Sequence, residues 1–104
     1  MQEFGRIDCC CNNAGIACPT LAKVHEVKEE DFNHVINVNL KGVWLCMKYE
    51  IQQFLQQEPR QPGHHTKGKI RGNIVNTNSM AGKIILTERS SYEIEAWQLD
   101  MLQI

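Results

Sequence analysis

Two polar clusters and one out-of-place amide mark where this 104-residue chain could do chemistry. The first cluster is the turn-forming run Asn12-Asn13-Ala14-Gly15, directly after the mostly apolar residues 7–11. The second is Asn78-Ser79, directly after Ile74-Val75-Asn76-Thr77. Amides and hydroxyls both donate and accept hydrogen bonds, so either cluster can orient a ligand. The lone amide is Asn39, seven residues after Phe32, three after Ile36 and four before Val43, in the middle of an apolar stripe. A buried amide without partners costs roughly 1–3 kcal/mol, so Asn39 must be hydrogen-bonded to something specific. Each feature taken singly also has a plainer reading. Asn12-Asn13 can be a simple turn, Asn39 a brace for a helix bend near Gly42, and Ser79 a strand-end hydroxyl.

The elements that would position these groups follow from the pattern between them. Residues 7–11 form a short, almost continuously apolar run that ends in a turn, as a strand buried on both faces would. Residues 16–28, with Pro19, read as loop. Residues 29–57 carry Phe32, Val35, Ile36, Leu40, Val43, Trp44, Met47, Ile51, Phe54 and Leu55 at steps of three and four, which predicts one long helix. Glu29, Glu30 and Asp31 fall in its first turn, where negative charge suits the helix dipole. Residues 58–69 hold two prolines and two glycines and no apolar side chain, which predicts a solvated loop. The β-branched Ile74, Val75 and Thr77 predict a second strand. Strand, helix and strand make a βαβ unit with a parallel pair and a right-handed crossover. Open parallel sheets bind ligands beyond the carboxyl ends of their strands, and both polar clusters leave the sheet on that edge. The tail from Ser90 is amphipathic, with Ile94, Trp97, Leu99, Met101, Leu102 and Ile104 as apolar positions, and a helix is expected there although the spacing is untidy.

Composition narrows the function classes. The 11 basic residues are balanced by 12 acidic ones, for a net charge of −1, and form no run, so neither nucleic acid nor an anionic membrane is an expected partner. No stretch reaches the roughly 20 apolar residues of a membrane span, and the first residues lack the apolar core of a signal peptide; the cytoplasm is the expected compartment. Five cysteines, three of them consecutive, suit neither a disulfide framework nor tetrahedral zinc, and are expected to be free thiols buried as small hydrophobes. His64 and His65 lie in the polar loop and read as solvated groups rather than metal ligands. No metal site is expected.

Taken together, Asn12-Asn13-Ala14-Gly15, Asn39 within Asn37-Val38-Asn39-Leu40-Lys41-Gly42, Ser79 at the end of the second strand and Tyr92 13 residues further on resemble the short-chain dehydrogenase/reductase family. The resemblance covers about residues 4–92, and the wording of residues 38–49 and 78–82 is most similar to that of fungal members. It implies an α/β fold, part of a Rossmann-type three-layer αβα sandwich with a parallel sheet. It also implies hydride transfer between NAD or NADP and a small alcohol or ketone. On this resemblance Asn39, Ser79 and Tyr92 fall on the catalytic asparagine, serine and tyrosine, while Asn12, Asn13, Ala14 and Gly15 steady the sheet and border the cofactor together with Tyr92. The long helix at 29–57 would supply a dimer interface, making a homo-oligomer or pairing with a full-length relative an expected partner state.

The chain departs from the family in two places. Four residues after the tyrosine the family has a lysine that binds the nicotinamide ribose and lowers the tyrosine's pKa; here the run is Glu93-Ile94-Glu95-Ala96. Alanine carries no charge, and glutamates near Tyr92 would oppose phenolate formation from a phenol whose ordinary pKa is near 10. No GxxxGxG or GxGxxG run occurs in these residues either, so the resemblance implies an internal piece with roughly half of the cofactor site elsewhere. The expected organisation is a partial nucleotide-binding domain at 1–92 and a divergent tail at 93–104, with little or no activity of its own.

Overall fold

The computed structural model describes residues 3–19, 22–61, 63, 68–78 and 102–103. Strand β1 (Cys9–Asn12) and strand β2 (Asn73–Asn76) pair in parallel, with Cys9 opposite Asn73 and Asn12 opposite Asn76. Backbone bonds from Asn73 N to Asp8 O (3.0 Å) and from Thr77 N to Asn12 O (2.9 Å) continue the pairing at both ends. Between the strands runs the long helix, continuous through α1 (Glu29–Ile36), a π-helical segment (Asn37–Gly42) and α2 (Val43–Gln56). The strand, helix and strand of the expected βαβ unit are present, and β1 lies one to two residues later than the apolar run alone indicated.

The helix packs on one face of the sheet. Val35, Val43, Phe54 and Ile74 form the buried core between them. Phe54 is wholly buried, and Gly72 lies so close to its ring that a side chain there has no room: an added Cβ would stand 2.5 Å from Cε1. Where the helix ends, the buried amide of Gln57 fastens it to both strands. Its Nε2 donates to Ile7 O and Arg71 O, each at 2.5 Å, and its Oε1 accepts from Ile7 N at 3.1 Å. One side chain thereby satisfies backbone groups at the entry of β1 and of β2, which would otherwise lie buried without partners. The loop after the helix is pinched at its base by paired backbone bonds between Arg60 and Ile70.

Two expectations need correction. The tail was expected to be helical, yet Leu102–Gln103 forms a strand, β3, antiparallel to β2, giving a mixed sheet in the order β1-β2-β3. The second edge of β2 offers a row of unpaired backbone groups, and a short apolar segment without clean helical spacing can satisfy them. The rest of the tail lies outside the described residues. The cysteines are free, as expected, but none is buried: Cys9, Cys11 and Cys46 are exposed, and Cys10 and Cys18 are intermediate. Successive strand residues point to opposite faces, so Cys9 and Cys11 project from the side of the sheet that carries no helix among the described residues. The apolar helix stripe also splits, for Leu40, Trp44 and Leu55 are exposed while Val35, Val43 and Phe54 are buried.

Candidate functional site

Asn39 lies within the π-helical segment, a helix irregularity frequent at functional sites. Asn39 is 9% exposed, and its side chain pairs with the backbone N–H and C=O of one residue, Ile16, in the loop that follows β1. Asn39 Oδ1 accepts from Ile16 N at 2.8 Å, and Asn39 Nδ2 donates to Ile16 O at 2.8 Å. The amide thus satisfies Ile16 as a neighbouring strand would, and it satisfies itself. This specific partner is what the position of Asn39 in the apolar stripe required. The same contact holds the loop close, with Gly15 near enough that a Cβ there would lie 3.5 Å from Asn39 Oδ1, an ordinary van der Waals distance.

Asn12 points the other way, into the layer between sheet and helix. Its Nδ2 donates to Asn76 Oδ1 at 2.9 Å and to Glu50 Oε2 at 3.1 Å, while Asn76 Nδ2 reaches Met47 Sδ at 3.3 Å. The carboxyl ends of both strands are therefore locked to each other and to α2. Sequence reasoning missed Glu50 and Asn76 as members of this network. Glu50 could have been found by the argument applied to Asn39, since it falls three residues after Met47 and four before Phe54, on the inward face. Burial and then the charge of Glu50 push the neighbouring Cys10 thiol up to about 11, so it stays protonated at neutral pH and is a poor nucleophile.

Above this network Asn13, Ala14 and Gly15 are exposed, and so are Thr77 and Asn78 on the adjacent strand end. The structure brings Asn12, Asn13, Ala14, Gly15 and Asn39 together with Asn78 at one edge of the sheet. Ser79 and Tyr92 lie outside the described residues, as do Ala96 and the polar-loop residues His64 and His65. Among the described residues no group of three or more histidine, cysteine or acidic side chains could hold a metal ion, and no helix is long and apolar enough to cross a membrane. The arrangement provides an exposed ledge at the carboxyl ends of parallel strands, above the hydrogen-bonded side chains of Asn12, Asn76 and Glu50. Such a ledge can seat a polar ligand without competing hydrogen bonds from below.

Comparison with known proteins matches residues 1–94 to the family model for short chain dehydrogenases. An uncharacterized oxidoreductase of Thermotoga maritima is 35% identical over 94 residues, covering 90% of this chain and 32% of that protein. The crystal structure of a 3-oxoacyl-[acyl-carrier protein] reductase from Brucella melitensis in complex with NAD superposes with a TM-score of 0.72 at 25% identity, over 92% of this chain and 35% of that one. ElxO with NADP bound gives a TM-score of 0.71 at 30% identity, over 92% of this chain and 34% of that one. The chain spans about a third of the length of these relatives.

Proposed function

The chain belongs to the short-chain dehydrogenase family, and from that membership we propose that its residues are the catalytic-edge portion of an NAD(P)-dependent oxidoreductase acting on a small alcohol or ketone in the cytoplasm. The observation that carries this reading is the paired hydrogen bond between Asn39 and Ile16, which fixes the exposed loop Asn13-Ala14-Gly15 beside Thr77 and Asn78 at the carboxyl edge of the parallel strands. The nicotinamide nucleotide would lie on this ledge, above the hydrogen-bonded Asn12, Asn76 and Glu50 and beside the exposed loop residues. Asn13, Ala14 and Gly15 would border the nucleotide, which when bound supplies or accepts the hydride. Ser79 would hold the substrate oxygen, and Tyr92 would move the proton to or from it. Asn39 serves by positioning the loop.

Residues 1–92 act in this reading as the domain proper and 93–104 as a divergent tail. Ala96 is the decisive departure. It stands where the family has the lysine that lowers the tyrosine's pKa, and a phenol's ordinary pKa near 10 is too high for efficient acid/base work at neutral pH, so turnover by this chain is low. Substituting Ala96→Lys is expected to raise carbonyl-dependent oxidation of NADH or NADPH by about 10²-fold, the lower end of what a positioned acid/base group contributes. The loss of reduced-nicotinamide absorbance measures it. No gain with Ala96→Lys, together with no cofactor binding at millimolar NADH or NADPH, would overturn the enzymatic reading.

A second reading rests on the outward strip of the long helix. Leu40, Trp44 and Leu55 are 41%, 51% and 62% exposed, and Lys48 Nζ lies 5.5 Å from the Trp44 ring centroid. Exposed large apolar groups along one helix suit pairing with a second copy or a full-length relative, with Trp44 as anchor. Trp44→Lys should weaken self-association by about thirtyfold or more, as loss of an interface tryptophan does. Sedimentation equilibrium measures this, and an unsubstituted chain that stays monomeric at high concentration would rule the interface out.

A further inference from the structure

The opposite end of the sheet from the ledge carries a cluster that none of this chemistry uses. Asp8, just ahead of β1, receives two arginines: Oδ1 lies 2.9 Å from Arg6 Nε, and Oδ2 lies 2.6 Å from Arg60 Nη2. Beside it opens a cleft of about 360 Å³, lined among others by Asp8, Arg60, Ile70, Arg71 and Asn73. The cleft sits where β1 and β2 begin, so it is separate from the loop at Asn13 and from Asn78. Arg71 lines it with Nε buried and unpartnered among the described residues, and Arg6 Nη2, behind Asp8, is in the same condition.

Buried guanidinium N–H groups almost always have an acceptor, because ionised donors withdrawn from water without one are strongly disfavoured. Here one carboxylate, Asp8, is engaged by two guanidinium groups, those of Arg6 and Arg60, and the third arginine, Arg71, lines the same cleft. Two arginines, Arg60 and Arg71, line the cleft with one carboxylate, and the buried Arg71 Nε has no acceptor among the described residues. We propose that this cleft is an oxyanion-binding site, with Arg71 as principal ligand and Arg60 as the second cation, suited to a phosphate group. The planar donor fork of arginine matches phosphate and carboxylate oxygens alike, and Asp8 keeps the two flanking guanidinium groups in place rather than neutralising Arg71. The volume is at the lower end for small-molecule sites, which fits a phosphate monoester better than a dinucleotide.

Isothermal titration of this chain with inorganic phosphate at constant ionic strength tests the site, with acetate as the carboxylate arm. Saturable binding at millimolar phosphate or below is expected, tighter than acetate, weakened about tenfold by Arg71→Met and less by Arg60→Met. Lys41→Met, which removes the same charge from the helix, should leave it unchanged. Far-UV circular dichroism checks folding; if Arg71→Met does not fold, Arg71→Lys, which keeps the charge and loses the Nε donor, is read instead and should show the same weakening. Absence of saturable binding, tighter binding of acetate, or equal weakening by Lys41→Met overturns the proposal.

Discussion

Gly72→Ala should destabilise the chain by about 3 kcal/mol, the upper part of the range for overpacking a core. An alanine Cβ would meet Phe54 Cε1 and Cζ at 2.5 Å and Cδ1 at 2.7 Å. Atoms of a flexible side chain could move aside, but these belong to a rigid ring that is 0% exposed and held between the helix and the sheet. Relief therefore requires the helix to lift from β2, and that motion would strain the Gln57 bonds to Ile7 and Arg71 at the same end. Domains of this size have only about 5–15 kcal/mol of stability, so the loss is a large fraction of the whole. Urea denaturation followed by circular dichroism measures it as a lower midpoint at unchanged slope. The coupling has its own check, because Phe54→Leu removes the ring atoms that the new methyl would strike. The double variant should be more stable than the sum of the two single losses allows, and strict additivity would mean that the two residues do not collide.

How much of this was legible beforehand depends on whether a residue's neighbours are close in sequence or only in space. The long helix could be read because its apolar residues recur at helical spacing over nearly thirty positions, and both strands because β-branched or apolar runs end in turn residues. Asn39 stood out for the same reason: a polar group inside an apolar stripe must have a partner, and the structure supplies Ile16. Gln57 gave no such signal. Its position at the end of the helix looks solvated in sequence, and only the convergence of the two strand entries beneath it makes it a buried clamp. The cysteines misled in the opposite direction. A run of small apolar residues predicts a strand covered on both faces, but whether a second layer lies over Cys9 and Cys11 is not encoded in those residues. The antiparallel pairing of Leu102 with Ile74 is likewise a non-local choice, made by the free edge of β2 and not by the propensity of the tail.

The same distinction separates what Asn39 does for the fold from what it does for chemistry, and substitution can resolve the two. Asn39→Ala removes the partners of both Ile16 N and Ile16 O and should cost about 2–4 kcal/mol, since a lost partner leaves each such group at roughly 1–3 kcal/mol. Asn39→Asp is the more informative change. One carboxylate oxygen can still accept from Ile16 N, but the other replaces the Nδ2 donor and faces the Ile16 carbonyl oxygen, where two acceptors repel. Protonating the aspartate restores a donor at that atom. Burial and the facing carbonyl both favour the neutral acid, so its folded pKa rises above the ordinary value of about 3.9. A group with a raised folded pKa gives stability that is fully present below the unfolded pKa and is lost as pH rises through the folded one. The Asn39→Asp chain should accordingly approach the unsubstituted stability near pH 4 and fall away toward neutrality, whereas Asn39→Ala should remain destabilised throughout. Denaturation midpoints across that interval give the comparison. If Asn39 were only a catalytic group with no duty toward the loop, neither variant would shift its midpoint, and the ledge formed by Asn13, Ala14 and Gly15 would need some other support.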